Sequence, residues 1–422
     1  MSEVVIIGGG AAGMAAAVFA GRNGAKVRLF EKNEKLGKKL FITGKGRCNF
    51  TNACDMEELF QNVVTNPKFL YSAFYSFTNQ DAIGFFEELG VETKVERGNR
   101  AFPSSDHSSD IIRALQQEMR RLGVQIRLHT TVKSLLTKEN QVTGIILEDG
   151  ETIAADAVIL AAGGASYPVT GSDGAGVRMA SKVGIPVKES AAALVPLVVS
   201  EDYIPLMQGL SLRNVALKIM DQRRVIFDEF GEMMFTHFGI TGPLVLSASS
   251  RITRKLEKQN LKAFIDLKPA LTEEQLDARV LREFEQGKNR QFKNVIPALF
   301  PARMLSVMLA LSAIPYDKKV NEITREERQA FVKLIKSFPM TITKTRGLDE
   351  AIITQGGIDT KAVNPSTMES RQYEHLYFIG EVLDVDALTG GFNLQIAWST
   401  AFLAATAIQE QTQKDGGMNI EL

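Results

Sequence analysis

Residues 3–31 read EVVIIGGGAAGMAAAVFAGRNGAKVRLFE, a short apolar run followed by glycines, an alanine-rich stretch and a second apolar run. The uninterrupted β-branched run at 4–7 is typical of a strand buried on both faces of a parallel sheet. An alanine-rich helix is expected from residue 11, and a second strand at 26–30. Strand, helix and strand in this order predict a βαβ unit and therefore an α/β fold.

The glycines between the first strand and the helix have the spacing G-x-G-x-x-G, with Gly8, Gly10 and Gly13. The first permits a tight turn, the second lets the backbone approach a pyrophosphate, and the third lets the helix pack closely on the strand. The first helical residues, Ala11 and Ala12, would offer free N–H groups to the phosphates. An ordinary glycine turn is the alternative, but the flanking strands and helix favour a dinucleotide site.

Glu31 closes the second strand, 18 residues after Gly13. An acidic side chain at this place accepts hydrogen bonds from an adenosine ribose, and it disfavours a ligand with a 2′-phosphate. The βαβ unit alone fits NAD as well as FAD. The choice between them depends on the rest of the chain.

The segment LGKKLFITGKGRCNFTN (36–52), called the basic loop below, is rich in glycine and lysine. Gly46 allows unusual backbone torsions beside a ligand, and Arg47 and Asn49 supply hydrogen-bond donors. Arg47 is expected to bind a cofactor phosphate rather than a substrate carboxylate. Cys48 is expected to pack or to contact the cofactor, because no second cysteine stands at redox-pair spacing. A solvated surface loop is the alternative for the whole segment.

Two later segments favour FAD. A strand meander is predicted at 125–131, 133–136, 141–147 and 152–160, and it ends at Ala162-Gly163-Gly164. It resembles a segment found in flavoproteins. There, the residue that corresponds to Val132 contacts adenine, and a later strand that ends in glycines returns beside the cofactor.

The second is GEVLDVDALTGGFNL (380–394), called the closing segment below, which follows a predicted short strand and opens a helix. Many FAD proteins place an acidic residue here on the ribityl hydroxyls. Glu381, Asp384 and Asp386 are the candidates, and Glu381 is the best placed. The N-terminus of the following helix would stabilise the negative charge of reduced flavin.

The expected FAD contacts are Gly8, Gly10, Ala11, Ala12, Gly13, Glu31, Lys32, Lys38, Gly46, Arg47, Cys48, Asn49, Val132, Ala162, Gly163, Gly380, Glu381, Asp386, Gly391, Phe392, Asn393 and Leu394. They come from both ends of the chain, so the FAD domain is predicted to be discontinuous, at 1–193 plus 354–422. The inserted domain at 194–353 is predicted to combine a β-barrel (about 194–242, with strands near 261–268 and 340–353) with a helical cluster (about 243–338). Since no second G-x-G-x-x-G opens a βαβ unit, NAD(P)H is expected at most as a transient donor.

Four runs together resemble one family: GKKLFITGKGRCNFTN (37–52), GGASYPVTGSDGAGVRMASKVG (163–184), FTHFGITGP (235–243) and TMESRQYEHLYFIGEVLDVDALTGGFNLQIAW (367–398). That family is the bacterial flavoproteins labelled aminoacetone-oxidase-like or BaiN-like. The resemblance implies a glutathione-reductase-type, Rossmann-like FAD domain with three layers (β, β and α), together with the inserted barrel and helices. Members' activities range from oxidation of a small aminoketone to reduction of an unsaturated keto-steroid. Lys45 departs from the family, which usually has glycine there.

Chemistry beside a flavin needs a group that gives or takes a proton. His237 is the candidate, because its apolar, glycine-flanked run suggests burial that would tune its pKa. A structural histidine satisfied by backbone groups is the alternative. Arg100, Phe102 and Pro103 are candidates for the rim of the substrate pocket, with a plain strand end as the alternative.

Composition restricts the partners. Lys plus Arg and Asp plus Glu are 49 each, so no overall field favours nucleic acid or an anionic membrane. The four histidines are scattered, which leaves little for a metal site. The chain lacks a secretory signal pattern and a membrane-length apolar run, so a cytoplasmic protein is expected.

Three hypotheses follow. The first is an FAD-dependent oxidoreductase that transfers hydride between flavin and a small or moderately apolar carbonyl, enone or amine. The second is a flavin-binding redox sensor or interaction protein without turnover. The third is a tRNA-modifying flavoprotein. The substrate, the electron donor and acceptor and the oligomeric state stay open.

Overall fold

The computed structural model describes residues 2–418, with side chains through Lys414, and it divides into two compact units. The first unit runs to Ala192 and resumes at Leu348, and the second comprises Ala193–Gly347. The chain thus enters the first unit again a few residues before the boundary at 354 that the sequence suggested.

Within the described residues, a five-stranded parallel sheet forms the centre of the first unit. Its strands, in spatial order, are Leu376–Phe378, Ala157–Leu160, Glu3–Ile7, Lys26–Phe30 and Gln125–Arg127. The first and last parts of the chain therefore share one sheet. The predicted α/β fold is confirmed.

The helix Ala11–Arg22 is buried from Ala12 to Ala20, as its small side chains allow. It packs tightly on the first strand, since a side chain at Gly13 would overlap the carbonyl oxygen of Gly8. The packing reason for the third glycine of the motif is therefore visible in the structure.

The predicted meander at 125–160 was partly wrong. Its first and last runs belong to the parallel sheet, and a separate antiparallel sheet is formed by Val132–Lys138, Gln141–Leu147 and Thr152–Ala154. The predicted single strand at 152–160 is broken at Asp156, whose carboxylate accepts a hydrogen bond from Glu3 N at 2.8 Å. After this break, Ala157–Leu160 is buried on both faces, which suits a central parallel strand.

The remaining elements of the first unit surround the sheet. The other strands are Thr51–Asn52, Thr93–Glu96 and Arg100–Pro103 in one sheet, Val63–Thr65 with Asp386–Ala387, and Val187–Ala193 with Ile353–Ile358. The other helices are Lys38–Ile42, Met56–Gln61, Tyr71–Ser76, Asn79–Glu88, Ser108–Arg121, Ala175–Lys182 and Phe392–Met418.

The second unit contains a closed barrel and a helical part. The barrel strands, in spatial order, are Leu197–Val199, Gly239–Thr241, Arg224–Phe235, Ser211–Asp221, Leu261–Asp266 and Phe338–Thr345. The helices are Pro243–Leu256, Glu273–Gln286, Phe292–Val295, Leu305–Leu311 and Arg325–Lys336. The hairpin 211–235 contains two register shifts, which accommodate the curvature of the barrel.

The helix Glu273–Gln286 begins with a capping box at Thr272. Its side chain accepts a hydrogen bond from Gln275 N, and Gln275 returns the contact because its side-chain oxygen accepts from Thr272 N. Such a reciprocal cap satisfies two backbone donors at the helix end. No helix in the described range is both long and apolar enough to cross a membrane.

Candidate functional site

The helix Ala11–Arg22, which follows the first part of the glycine loop (residues 8–13), has no side chain that caps its N-terminus. Gly10 is the N-cap of the helix and provides no side-chain cap, and a side chain at this position would meet nothing within 4 Å. The first-turn N–H groups of a helix have no partner inside the helix. Together with the positive end of the helix dipole, they form a place for a pyrophosphate.

Glu31 is buried at the end of the second strand and is tied to the glycine loop. Its Oε2 accepts a hydrogen bond from Gly9 N at 2.8 Å, and its Oε1 accepts from Asn33 N and Asn33 Nδ2 at 2.8 and 2.7 Å. These bonds fix the carboxylate at the position where the motif places an adenosine ribose. The part played by Asn33 was not foreseen, since the dinucleotide motif specifies no residue type at that position.

Glu381 is the centre of a charged network. Lys39 Nζ lies 2.7 Å from its Oε2 and 3.0 Å from its Oε1, and each side chain is 23% exposed. Ser166 Oγ and Thr354 N donate to Oε1 at 3.1 and 2.9 Å. The carboxylate is also adjacent to the turn that follows the strand Ala157–Leu160, since a side chain at Gly164 would lie 3.3 Å from its Cδ. Charge-assisted bonds of this kind are stronger than neutral ones and hold the carboxylate in place.

The closing segment (380–394) reaches both the glycine loop and the basic loop. Gly380 has a φ of +67°, and a side chain there would lie 2.8 Å from Ala12 Cβ. Asn52 Nδ2 donates to Gly390 O at 3.0 Å, and a side chain at Gly391 would overlap the backbone of Thr51. The three segments that the sequence assigned to one cofactor are thus brought together within the first unit.

Ser172 supplies a polar atom without a partner. Its Oγ is buried and, among the described residues, has no hydrogen-bond partner. A Cβ atom added at Gly163 would lie 3.1 Å from this oxygen. Ser172 is therefore next to the turn that adjoins Glu381. A buried hydroxyl that lacks a partner is costly unless a ligand or water satisfies it. The open helix N-terminus, the carboxylate network and this hydroxyl all fit an FAD.

Two residues of the basic loop are held by the protein itself. Arg47 is bound by Glu96 and Asp106, which raise its pKa, and its guanidinium lies 4.2 Å from the centre of the Phe102 ring. Asn49 Nδ2 donates to the carbonyl oxygens of Thr51 and Ala101 at 2.7 and 2.9 Å. A phosphate contact from Arg47 would require its guanidinium to leave two carboxylates. The cofactor contacts of Arg47 and Asn49 stay predictions.

Other expected contacts are also partnered. Lys32 pairs with Asp173 at 2.8 Å, and Lys38 with Glu34 at 3.3 Å. Asn393 bonds in both directions with the backbone of Ala387. The sequence selected Lys38, whereas the structure places Lys39 on Glu381.

The other two acidic candidates lie at the strand Val63–Thr65. Asp386 is 1% exposed, and its Oδ1 accepts from Gln355 Nε2 at 3.3 Å. Asp384 Oδ2 accepts from Asn66 Nδ2 at 3.2 Å. Glu381 is the one of the three that adjoins the turn after the strand Ala157–Leu160.

Lys45 and Val132 lie in different backbone settings. Lys45 has a φ of +60° between Gly44 and Gly46, in the left-handed region that favours glycine. A non-glycine residue there costs about 1–2 kcal/mol. Val132 begins an antiparallel strand, half-buried, opposite Leu147.

The two cysteines are buried thiols rather than thiolates. Desolvation raises the pKa of Cys48 to about 12, and desolvation together with nearby carboxylates raises that of Cys54 to about 12. The thiolate is the reactive form of cysteine, and at neutral pH both groups are therefore protonated and unreactive.

The expected burial of His237 was wrong. The side chain is exposed in the turn between the strands Arg224–Phe235 and Gly239–Thr241 of the second unit. Its ring contacts Phe238 edge to face, with centroids 5.0 Å apart. The apolar neighbours that suggested burial are themselves the strand ends, whose side chains Phe235 and Ile240 are fully buried. The catalytic role of His237 stays a prediction.

The chain is similar to known proteins over nearly its whole length. The model of the HI0933-like protein Rossmann domain matches residues 2–407. The chain is 33% identical over 415 residues to the 3-dehydro-bile acid delta(4,6)-reductase of Clostridium scindens, covering 97% of this chain and 100% of that protein. It is 32% identical over 405 residues to the ribosomal RNA dihydrouridine synthase of Escherichia coli K12, covering 96% and 97%.

A solved structure shows the same fold. The 3-ketosteroid delta1-dehydrogenase from Sterolibacterium denitrificans matches with a TM-score of 0.52 and 14% identity, over 97% of this chain and 100% of that one. At this identity the likeness concerns the fold alone. The sequence resemblance, the cofactor and the class of enzyme are confirmed by the family match and the curated relatives. The chain belongs to the HI0933-like family of FAD-binding Rossmann proteins and is an FAD-dependent oxidoreductase.

Proposed function

We propose that this enzyme reduces a carbon–carbon double bond that is conjugated with a carbonyl group. The observation that carries the proposal is the chemistry shared by the names of two relatives that match nearly the whole chain. A delta(4,6)-reductase of a 3-dehydro bile acid saturates double bonds conjugated with a ketone. A dihydrouridine synthase saturates the ring double bond of uracil, which is conjugated with a ring carbonyl. One acceptor chemistry therefore accounts for two unlike substrates.

The geometry of the first unit supports a set of proposed cofactor contacts. The N–H groups at Gly10, Ala11 and Ala12 would bind the pyrophosphate, and Glu31 would bind the adenosine ribose. Glu381, held by Lys39, would bind the ribityl chain, and the N-terminus of the helix that begins at Phe392 would stabilise the negative charge of reduced flavin. When bound, reduced FAD supplies the hydride that such a reduction needs.

The second hydrogen must arrive as a proton at the carbon next to the carbonyl. His237 is proposed as its donor, because an imidazole can act as a general acid. Its exposed position gives it access to protons from solvent. The cysteines are not proposed for this step, since burial holds both thiol pKa values at about 12, far above working pH. NAD(P)H is proposed as a donor that docks transiently.

Uracil within RNA is the second candidate substrate, and the distribution of charge supports it. The second unit, residues 193–347, has 24 Lys and Arg against 17 Asp and Glu, a net charge of +7. The rest of the chain has 25 against 32, a net charge of −7. The zero total, which argued against nucleic acid, conceals this separation. A cationic unit attracts the phosphate backbone.

The proposal is tested by anaerobic reoxidation of the reduced enzyme with a matched panel of acceptors. The panel contains a conjugated enone and two controls with the same carbon skeleton: the saturated ketone and a ketone whose alkene is not conjugated. A uridine oligonucleotide is the fourth acceptor. The proposal expects flavin absorbance to return only with conjugated acceptors. Equal reoxidation by the isolated alkene, or by none of the panel, would contradict it.

A further inference from the structure

The helical part of the second unit carries an exposed basic ridge, formed by residues 288–293 and 316–319. The two segments run side by side: Phe292 N donates to Lys318 O at 2.8 Å, and Lys293 N donates to Tyr316 O at 3.0 Å. Val320 N donates to Arg290 O at 3.0 Å in the same ladder. The side chains of the ridge are therefore held on a common backbone frame.

Four cations of the ridge are exposed: Lys288, Arg290, Lys293 and Lys319. None of them forms an ion pair within the described residues. Lys318 differs, because its ammonium group is bound by Glu327 at 2.7 and 2.8 Å. Asp317 is the acidic residue exposed within the ridge. The ridge itself thus has an excess of uncompensated positive charge.

An exposed aromatic ring lies among these cations. Tyr316 is 60% exposed, and Lys293 Nζ lies 5.0 Å from its ring centre. The ring therefore offers a flat apolar face within a positively charged patch. Single-stranded nucleic acid is bound by this combination, with cations along the backbone and a ring on which a base stacks.

We propose that the basic ridge is a docking surface for single-stranded RNA. The proposal rests on the second candidate function above, uracil within RNA, and it assigns the contact to this surface. The cations pair with phosphates, and the Tyr316 ring offers a stacking platform. A duplex fits less well, because its bases are already stacked and do not reach a single exposed ring.

The test measures binding by fluorescence anisotropy, with a labelled, unstructured oligoribonucleotide of about 15 nucleotides, across a salt series. The FAD-loaded protein is compared with K288E/R290E/K293E/K319E. The matched control reverses four exposed lysines of the first unit, K68E/K133E/K138E/K361E. The ridge variant is expected to bind at least about tenfold more weakly, with a salt slope lower by about 0.7 for each phosphate that it no longer neutralises. The control variant should keep most of the affinity.

Tyr316 separates stacking from charge. Tyr316→Ala is expected to lose at least about fivefold in affinity, and Tyr316→Phe to keep it, because a stacked base is sensitive to removal of the ring. Flavin absorbance and thermal melting check that each variant is folded and loaded. Absence of RNA binding at about 50 mM salt would overturn the proposal, as would equal weakening in the ridge and control variants. Reduction of a free enone reports separately on the proposed reaction, so the two proposals fail independently.

Discussion

Lys39 Nζ lies 2.7 Å from Glu381 Oε2, although 342 residues separate the two in the chain. The pair joins the basic loop to the closing segment, and each side chain is about three-quarters buried. A charge pair of this burial is costly to break, because removal of one partner leaves the other poorly solvated. The pair is therefore a sensitive point of the cofactor site.

Glu381→Gln is expected to weaken FAD retention by about tenfold or more, because a carboxylate that holds both Lys39 and a ribityl hydroxyl loses its charge. Lys39→Met should have a similar effect. FAD release on dilution, followed by flavin fluorescence, measures this. Glu410→Gln, at an exposed carboxylate, is the control. If Glu381→Gln retains FAD like the control, the assignment of Glu381 to the ribityl chain is wrong.

Gly380→Ala tests the contact between the two ends of the chain. The added methyl would lie 2.8 Å from Ala12 Cβ at a φ of +67°. Gly24→Ala has a comparable φ of +83° with nothing within 4 Å, and it measures the backbone cost alone. Gly24→Ala should cost about 1 kcal/mol and Gly380→Ala about 1–3 kcal/mol more, with loss of FAD. Denaturant titration compares them, and equal destabilisation would contradict the close packing.

The two buried cysteines are expected to be unreactive and to take no part in the reaction. At pH 7–8 both thiols are protonated, because their pKa values are raised to about 12 from 9.0. A thiol reagent should therefore label the folded protein slowly and both cysteines after denaturation. The C48A/C54A variant should retain the rate of flavin reoxidation. Rapid labelling of the native protein, together with slower flavin reoxidation in this variant, would show that a cysteine thiol takes part in the reaction.

Glu118 gives a pH dependence of stability. Its hydrogen bond with Arg121, aided by Arg22, lowers its pKa to about 2 from 4.5. A lowered folded-state pKa stabilises the protein above pH 4.5, and this contribution is lost as the pH falls towards 2. Glu118→Gln should therefore cost at most about 3 kcal/mol at pH 7 and progressively less below pH 4.5. Glu88→Gln, at an exposed partner of Arg22, is the control, and equal destabilisation at all pH values would refute the linkage.

The glycine loop and Glu31 could be predicted because their roles follow from local spacing. The strand, the open helix N-terminus and the carboxylate at the strand end are neighbours in sequence, and the motif fixes their geometry. The family resemblance extended this to the basic loop and the closing segment. It also identified Lys45 as unusual, and the structure shows the physical reason in its positive φ.

The network around Glu381 could not be predicted in the same way. The helix Lys38–Ile42 has five residues, too few for a hydrophobic period to show which lysine faces the site. Ser166 and Thr354 reach Glu381 only through tertiary packing. His237 was misjudged for a related reason, because apolar neighbours in sequence indicated burial while the residue stands in an exposed turn. Likewise, a zero net charge does not reveal that the two units carry opposite charges.

A single anaerobic turnover tests the central claim most directly. The enzyme's flavin is photoreduced, mixed with one equivalent of a conjugated dienone steroid or, separately, of a uridine oligonucleotide, and the products are weighed by mass spectrometry. With one of these acceptors, we expect the flavin to be reoxidised while the acceptor gains the mass of two hydrogen atoms. A flavin that stays reduced with both acceptors, and is reoxidised promptly when oxygen is admitted, would contradict this claim.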